Sequence, residues 1–418
     1  MAKINENYDK LVAGYLFPEV TRRKKLFLEK NFQFKEKDII SLGIGDTKLP
    51  LTPTILKGLH YGVTKLGAAE TYKGYGEEQG NDNLREAIAK RYEKLNAVVN
   101  PLEVFVSDGA KPDSANIQSI FSLDSIVAVQ DPAYPVYVDT NVVAGRTGKF
   151  KDLPNRGNRL GVYEGLVYMP CTEENGFIPS PPNQKVDLIY LCSPNNPTGA
   201  VMNHPQLEKF VDFARQNDSA IIFDAAYSAY IRDETLPKSI FEIRDARKYA
   251  IEINSFSKDA GFTGVRLGWT VVPRELMSGK ANALWNRRQT TFFNGASNIV
   301  QEGGLAALSE EGQKECKGLV DYYMENSRII DEGVREIGLK TFWSKNAPYI
   351  FMRTPGDLSS WEFFNNLLKK CQVICTPGAG FGPSGEGYVR LSPYNLRNNV
   401  EEAMERIKKK ADSIMTLD

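Results

Sequence analysis

The chain has 418 residues, 42% of them apolar and 25% charged, with 52 lysines and arginines balanced by 52 aspartates and glutamates. That length buries a large core, as two domains or one domain with an appended lobe, and the balance excludes a global field for nucleic acid or an anionic membrane. Five cysteines without a Cys-x-x-Cys pair point to reduced thiols, and two histidines argue against a metal centre or a histidine base. No apolar run is long enough to cross a bilayer, and the polar first residues lack a secretory core. A cytoplasmic location is expected, or a plastid if a transit peptide has been removed.

Residues 1–48, with an amphipathic segment over 20–32, are expected to pack on a small lobe. Residues 49–287 read as a large domain. Its apolar runs are Val104-Phe-Val-Ser, Ser125-Ile-Val-Ala-Val, Asp187-Leu-Ile-Tyr-Leu-Cys, Ala220-Ile-Ile-Phe, Tyr249-Ala-Ile-Glu-Ile and Leu267-Gly-Trp-Thr-Val-Val. Helical stretches separate several of them, for example residues 205–217 with Leu207, Phe210, Val211 and Ala214 on one face. Strands this apolar are buried on both faces, which predicts a mainly parallel α/β sheet. Residues 288–418 predict a smaller α+β domain. A long helical region runs through Trp285 and residues 300–319, more helix covers 322–337, two short strands lie near Tyr349 and Tyr388, and helix returns over 400–414.

Polar residues cluster just after the apolar runs, where ligands bind in open α/β sheets. The fullest cluster is Ser255-Phe256-Ser257-Lys258, followed by Arg266. A lysine amine forms a Schiff base with an aldehyde, while hydroxyls and a guanidinium hold a phosphate. Pyridoxal phosphate combines those two groups. Upstream stand Ser193-Pro-Asn-Asn-Pro-Thr-Gly199 and Asp224-Ala-Ala-Tyr227. A buried carboxylate such as Asp224 would keep a pyridine nitrogen protonated.

The ordered set resembles the fold-type I pyridoxal-phosphate enzymes, class I/II aminotransferases in particular. The resemblance implies a mainly parallel seven-stranded-type sheet flanked by helices. It implies catalytic roles for Lys258, Asp224 and Tyr227. Asn196 and Tyr227 would face the cofactor's phenolic oxygen, and Tyr134 would stack on its ring. Ser255, Ser257, Arg266 and the backbone at Ala110 and Lys111 would hold the phosphate. Arg390, in Gly387-Tyr-Val-Arg390-Leu, matches the arginine that clamps the substrate α-carboxylate.

Further stretches narrow the likeness. Leu42-Gly-Ile-Gly-Asp-Thr47, Gly74-Tyr-Gly-Glu-Glu-Gln-Gly80, Val106-Ser-Asp-Gly-Ala-Lys111, Thr291-Phe-Phe-Asn-Gly-Ala-Ser297 and Ala13-Gly-Tyr-Leu-Phe17 are similar to those of LL-diaminopimelate aminotransferases. Those enzymes move an amino group from glutamate to tetrahydrodipicolinate in lysine and peptidoglycan synthesis. Their substrate carries an amino acid at each end, so buried partners must meet both distal charges. By that resemblance Tyr15, Gly45, Glu78, Lys111, Tyr134, Asn196, Asn294 and Arg390 would contact substrate. Tyr75, Glu78 and Asn294 would come from the neighbouring subunit of a homodimer with shared sites, Tyr75 and Asn294 also touching the cofactor. The pattern departs at Lys48, Pro112 and Asn81, beside the distal pocket. A relative using another amino donor, such as lysine or an aromatic or dicarboxylic amino acid, is the alternative.

Two other readings fit less well. A ligand-sensing regulator needs a helix-turn-helix domain or basic face that the chain lacks. A dinucleotide dehydrogenase needs Gly-x-Gly-x-x-Gly after a first strand, and neither Gly74-x-Gly76 nor Gly378-x-Gly380-x-Gly382 has that spacing.

Overall fold

The computed structural model describes residues 2–11, 16–154 and 160–416. Its centre is a seven-stranded sheet of β1 (Val104–Ser107), β2 (Val127–Asp131), β3 (Leu166–Pro170), β4 (Leu188–Cys192), β5 (Ala220–Asp224), β6 (Ala250–Ser255) and β7 (Gly268–Val271). The order is β1-β7-β6-β5-β4-β2-β3. β3, β2, β4, β5 and β6 run parallel, and β7 pairs antiparallel with both β1 and β6. The six strands read from apolar runs are buried at every position, as double coverage by helices requires. β3 was not among those runs. It is an edge strand with part-exposed Val167 and Tyr168, so no continuous apolar run marks it.

Helices α1 (Leu16–Lys30), α2 (Pro53–Lys65), α3 (Asp82–Glu93), α4 (Ala110–Asn116), α5 (Val136–Val143) and α6 (His204–Asn217) precede α7 (Lys280–Phe292), α8 (Asn298–Leu308) and α9 (Glu310–Arg335). The single long helical region expected through Trp285 is thus three helices. Gly295, at φ 83, turns the chain between α7 and α8. Ser309 Oγ then caps α9 by accepting from the Gly312 amide at 3.1 Å.

A second, antiparallel sheet holds β8 (Thr341–Phe342), β9 (Ile350–Arg353), β10 (Thr376–Pro377) and β11 (Tyr388–Leu391), in the order β8-β9-β11-β10. Leu16 and Val20 of α1, with Ile40 and Leu42, join the apolar cluster behind this sheet. Helix α9 spans both cores. Val320, Tyr323 and Met324 enter a cluster of the large sheet, while Ile330 and Val334 enter that of the small one.

Helices α2 and α8 approach through glycine. A Cβ on Gly58 would lie 2.6 Å from Ala306 Cβ and 2.7 Å from the Glu302 carbonyl oxygen. Alanine in a helix ordinarily gains roughly 0.5–1 kcal/mol over glycine. Here overpacking reverses the sign, and Gly58→Ala is expected to lose roughly 1–3 kcal/mol. Calorimetry should show a lower Tm; an unchanged or higher one would mean that the two helices can part without loss.

Candidate active site

The large sheet ends in a cavity of about 280 Å³. Topology explains the gathering, because β4, β5 and β6 run parallel and finish at Cys192, Asp224 and Ser255, all on the cavity wall. Ala110 and Lys111 open α4 just after β1, Tyr134 follows β2, and the small sheet contributes Arg390 from β11.

One end of the cavity is an anion cup. The Ser257 amide donates to Ser255 Oγ at 3.0 Å, and Arg266 Nη1 lies 3.4 Å from Ser257 Oγ. Arg266 holds φ 72, a left-handed conformation that an arginine adopts only when its surroundings impose it. Gly109 at φ 136 completes the cradle, and a Cβ there would come within 2.5 Å of Arg266 Nη2. Two hydroxyls, a guanidinium and amides at the start of α4 suit a phosphate.

Lys258 projects into the cavity beside this cup. Its ammonium donates to the Gly45 carbonyl and lies 5.2 Å from the Tyr394 ring centroid. Burial pushes the amine down to about 8, helped by the nearby Arg390 charge and opposed by Asp46. A Cβ on Gly45 would sit 2.4 Å from Tyr349 Oη and 3.4 Å from Lys258 Nζ, so glycine keeps this approach open.

Two buried charges on the cavity wall have no ionic partner among the described residues. Asp224 accepts from Tyr137 Oη at 2.6 Å and from the Ala226 amide at 2.9 Å. Burial raises its pKa, and these bonds oppose the rise. Arg390 is 1% exposed; it donates to Asn196 Oδ1 and to the Gly43 carbonyl, each at 2.6 Å. Its Nε is buried without an acceptor, and aromatic rings cover its faces, with Tyr349 at 4.3 Å. A desolvated guanidinium in that state calls for an anionic ligand.

Among residues singled out from sequence, the cavity gathers Gly45, Ala110, Lys111, Tyr134, Asn196, Asp224, Tyr227, Ser255, Ser257, Lys258, Arg266 and Arg390. Tyr75, Glu78 and Asn294 are not on its wall. The backbone of Glu77 and Glu78 meets Gly295, next to Asn294; Tyr75 is 87% exposed, Asn294 is exposed and Glu78 is half-buried. Tyr15 lies outside the described residues. Tyr137 and Tyr349 also line the cavity and were not singled out. Tyr349 Oη bonds Tyr227 Oη at 2.9 Å. Both sit in ordinary apolar surroundings in sequence, and only their long-range partners mark them.

A family model described as "Aminotransferase class I and II" matches residues 37–407. The chain belongs to the class I and II aminotransferase family. Among solved structures, the L,L-diaminopimelate aminotransferase of Chlamydomonas reinhardtii is 47% identical, with 98% of this chain and 99% of that one covered and a TM-score of 0.90. The substrate-bound BacF structure from Bacillus subtilis is 27% identical over 98% of each chain, at a TM-score of 0.83. The aromatic aminotransferase of Pyrococcus horikoshii is also 27% identical, covering 93% of this chain and all of the other, at 0.78. This aminotransferase therefore has the fold expected from its sequence, a fold-type I architecture with a seven-stranded, mostly parallel sheet.

The lysine supplies a direct test. Only the neutral amine attacks a carbonyl, so trapping of a small uncharged aldehyde on Lys258 by borohydride should speed up as pH rises through about 8 and then level off. An ordinary lysine would level off above about 10. A midpoint that high, read by mass spectrometry of the Lys258 peptide, would show that the cavity does not depress the amine.

Proposed function

We propose that this aminotransferase interconverts tetrahydrodipicolinate plus glutamate with LL-2,6-diaminopimelate plus 2-oxoglutarate, using pyridoxal phosphate held by Lys258. The observation that carries the substrate choice is the 47% identity to the Chlamydomonas diaminopimelate enzyme over nearly the whole of both chains. The cavity supports it. An amino acid with a second amino-acid end needs two carboxylate partners, and Arg390 and Lys111 line one cavity.

The residues present fit the cofactor. Ser255, Ser257, Arg266 and the start of α4 would hold its phosphate, in a cradle that a side chain at Gly109 would fill. Asp224, buried with no cationic partner among the described residues, suits a protonated pyridine nitrogen. Tyr134 would stack on the ring, and Asn196 and Tyr227 would face its phenolic oxygen. When bound, the cofactor supplies an electron sink for the substrate Cα.

The chain's own residues do the rest. Arg390 offers a planar fork to the α-carboxylate, already oriented by Asn196 and Gly43, so binding needs little reorganisation. That clamp fixes the substrate Cα relative to Lys258. With a pKa near 8, the Lys258 amine is poised both to accept the Cα proton and to return it.

The distal end would be completed by a second copy of the chain. Tyr75 and Asn294 are exposed and Glu78 is half-buried, and Tyr61, Tyr72 and Phe292 are 57%, 62% and 75% exposed. Exposed aromatics of this size suit a homodimer face that would carry these residues into the partner's cavity. Glu78 would then meet the distal ammonium, with Asn294 as a neutral neighbour, and Lys111 the distal carboxylate.

Purified enzyme with 2-oxoglutarate should use LL-diaminopimelate well, and the meso isomer, lysine and aspartate far less. Comparable rates with lysine, aspartate or phenylalanine would sink the assignment. Lys258→Ala should abolish both transamination and the visible band of the lysine-bound cofactor.

Glu78→Gln should lower kcat/KM for LL-diaminopimelate by roughly tenfold or more, the scale of one charged hydrogen bond. The band should stay intact. Its loss would assign Glu78 to cofactor or fold instead.

A further inference from the structure

The residue that follows the reactive lysine is anchored to another helix. Asp259 Oδ2 accepts from Arg91 Nη1 of α3 at 3.2 Å, and the two side chains are only 13% and 25% exposed. Asp259 Oδ1 is buried and accepts no hydrogen bond among the described residues, so Arg91 is the group that compensates this carboxylate.

Arg91 is itself held. Its guanidinium carbon lies 5.4 Å from the ring centroid of Trp269 on β7. The Trp269 indole donates to Tyr92 Oη at 2.9 Å, and Tyr92 donates to Glu252 Oε1 on β6 at 2.8 Å. Glu252 also accepts from Ser239 Oγ at 2.6 Å and the Ile240 amide at 3.0 Å. The anchor thus reaches into the two strands that flank the Lys258 loop. The peptide that joins the lysine to Asp259 is held as well, because Tyr230 Oη donates to the Lys258 carbonyl at 3.0 Å. The intervening backbone is a tight turn, in which the amides of Ala260 and Phe262 both donate to the Phe256 carbonyl at 3.2 Å.

We propose that the Arg91–Asp259 ion pair is a positioning clamp for Lys258. Neither residue lines the cavity, so neither touches the reacting atoms. A lysine side chain is long and flexible, and the reach of its amine is limited by where its Cα is held. A part-buried pair holding the next residue, with Tyr230 on the lysine's own carbonyl, fixes the Lys258–Asp259 peptide and with it the Lys258 Cα. Freed from the clamp, the turn can shift, and a displacement of about 1 Å at a reacting group can lower a rate by about a hundredfold. The proposal rests on the reading of Lys258 as the reactive amine.

The test uses Asp259→Asn, which is isosteric, Arg91→Met, the double variant and Asp259→Glu, all in the cofactor-loaded enzyme. Each single change should lower kcat by roughly tenfold or more while KM for both substrates stays within about twofold. The double variant should be no worse than either single one, because both remove the same interaction. Asp259→Glu keeps the carboxylate and should recover most of the rate. In the cofactor-free protein, hydrogen exchange over residues 256–262 should rise in both single variants; Arg91→Met, which leaves the Asp259 carboxylate uncompensated, should also lower Tm, and Asp259→Asn far less. Unchanged kcat, or additive losses that track a fall in Tm without local exchange, would overturn the clamp. If the variants match an active wild type that Lys258→Ala silences, the clamp alone fails. If Lys258→Ala remains active, the underlying reading fails and the clamp goes with it.

Discussion

A buried guanidinium with no counter-ion among the described residues joins three parts of this chain. Arg390 sits on the small sheet, donates to Asn196 beyond the end of a large-sheet strand, and donates to the Gly43 carbonyl of the N-terminal segment. Neutral acceptors orient the fork but leave its charge uncompensated, and burial of an unpaired charge is costly. The cost falls when a carboxylate arrives. The same arrangement that ties the lobes together thus leaves them primed for an anionic ligand, and binding an amino or oxo acid should tighten the contact between sheets. Asp224 on the same cavity wall is its counterpart in charge, a buried carboxylate that meets hydroxyl and amide donors but no cation among the described residues.

The cup beside Lys258 depends on the one strand that breaks the parallel pattern. β7 runs antiparallel between β1 and β6, which returns the chain from Lys258 and Arg266 to the start of α4. Gly268 makes the fit possible, since a Cβ there would stand 2.8 Å from Gly109 Cα and 3.0 Å from the Ala110 amide nitrogen. The cup therefore draws on two chain segments far apart in sequence, and sheet register brings the loop that carries Ser257 and Arg266 against the start of α4.

How much of this was legible in the sequence follows from burial. Strands covered on both faces appear as continuous apolar runs, and six of the seven were readable that way. The edge strand at Leu166–Pro170 is half exposed and carries no such run. The break between α7 and α8 falls at Asn294-Gly295, a turn pair that the sequence carries between two otherwise helical stretches. At the site, Lys258, Asp224, Asn196 and Arg266 are legible because their chemistry is local to short motifs. Tyr137 and Tyr349 are not, because each acquires its meaning from a partner about a hundred residues away. Tyr75 and Glu78 are a different case: in a single chain neither is on the cavity wall, so motif likeness alone links them to substrate.

The chain accordingly separates two kinds of constraint. The cofactor end is built from strand termini, whose positions are fixed by backbone pairing in a buried sheet. The substrate end draws on the segment around Gly45, where Asp46 lines the cavity and takes an ion pair from Lys48 at 2.6 Å. Lys48 departs from the usual threonine of diaminopimelate aminotransferases, and both members of that pair are about half exposed. An exposed pair contributes little to stability. It does place an extra cation beside a residue of the cavity wall, where long-range attraction raises the encounter rate of an anionic ligand more than its affinity. Substitution there can alter how substrate arrives while leaving Lys258, Asp224 and Arg390 untouched. Variation in this family can therefore concentrate at the distal end without disturbing the chemistry at the sheet.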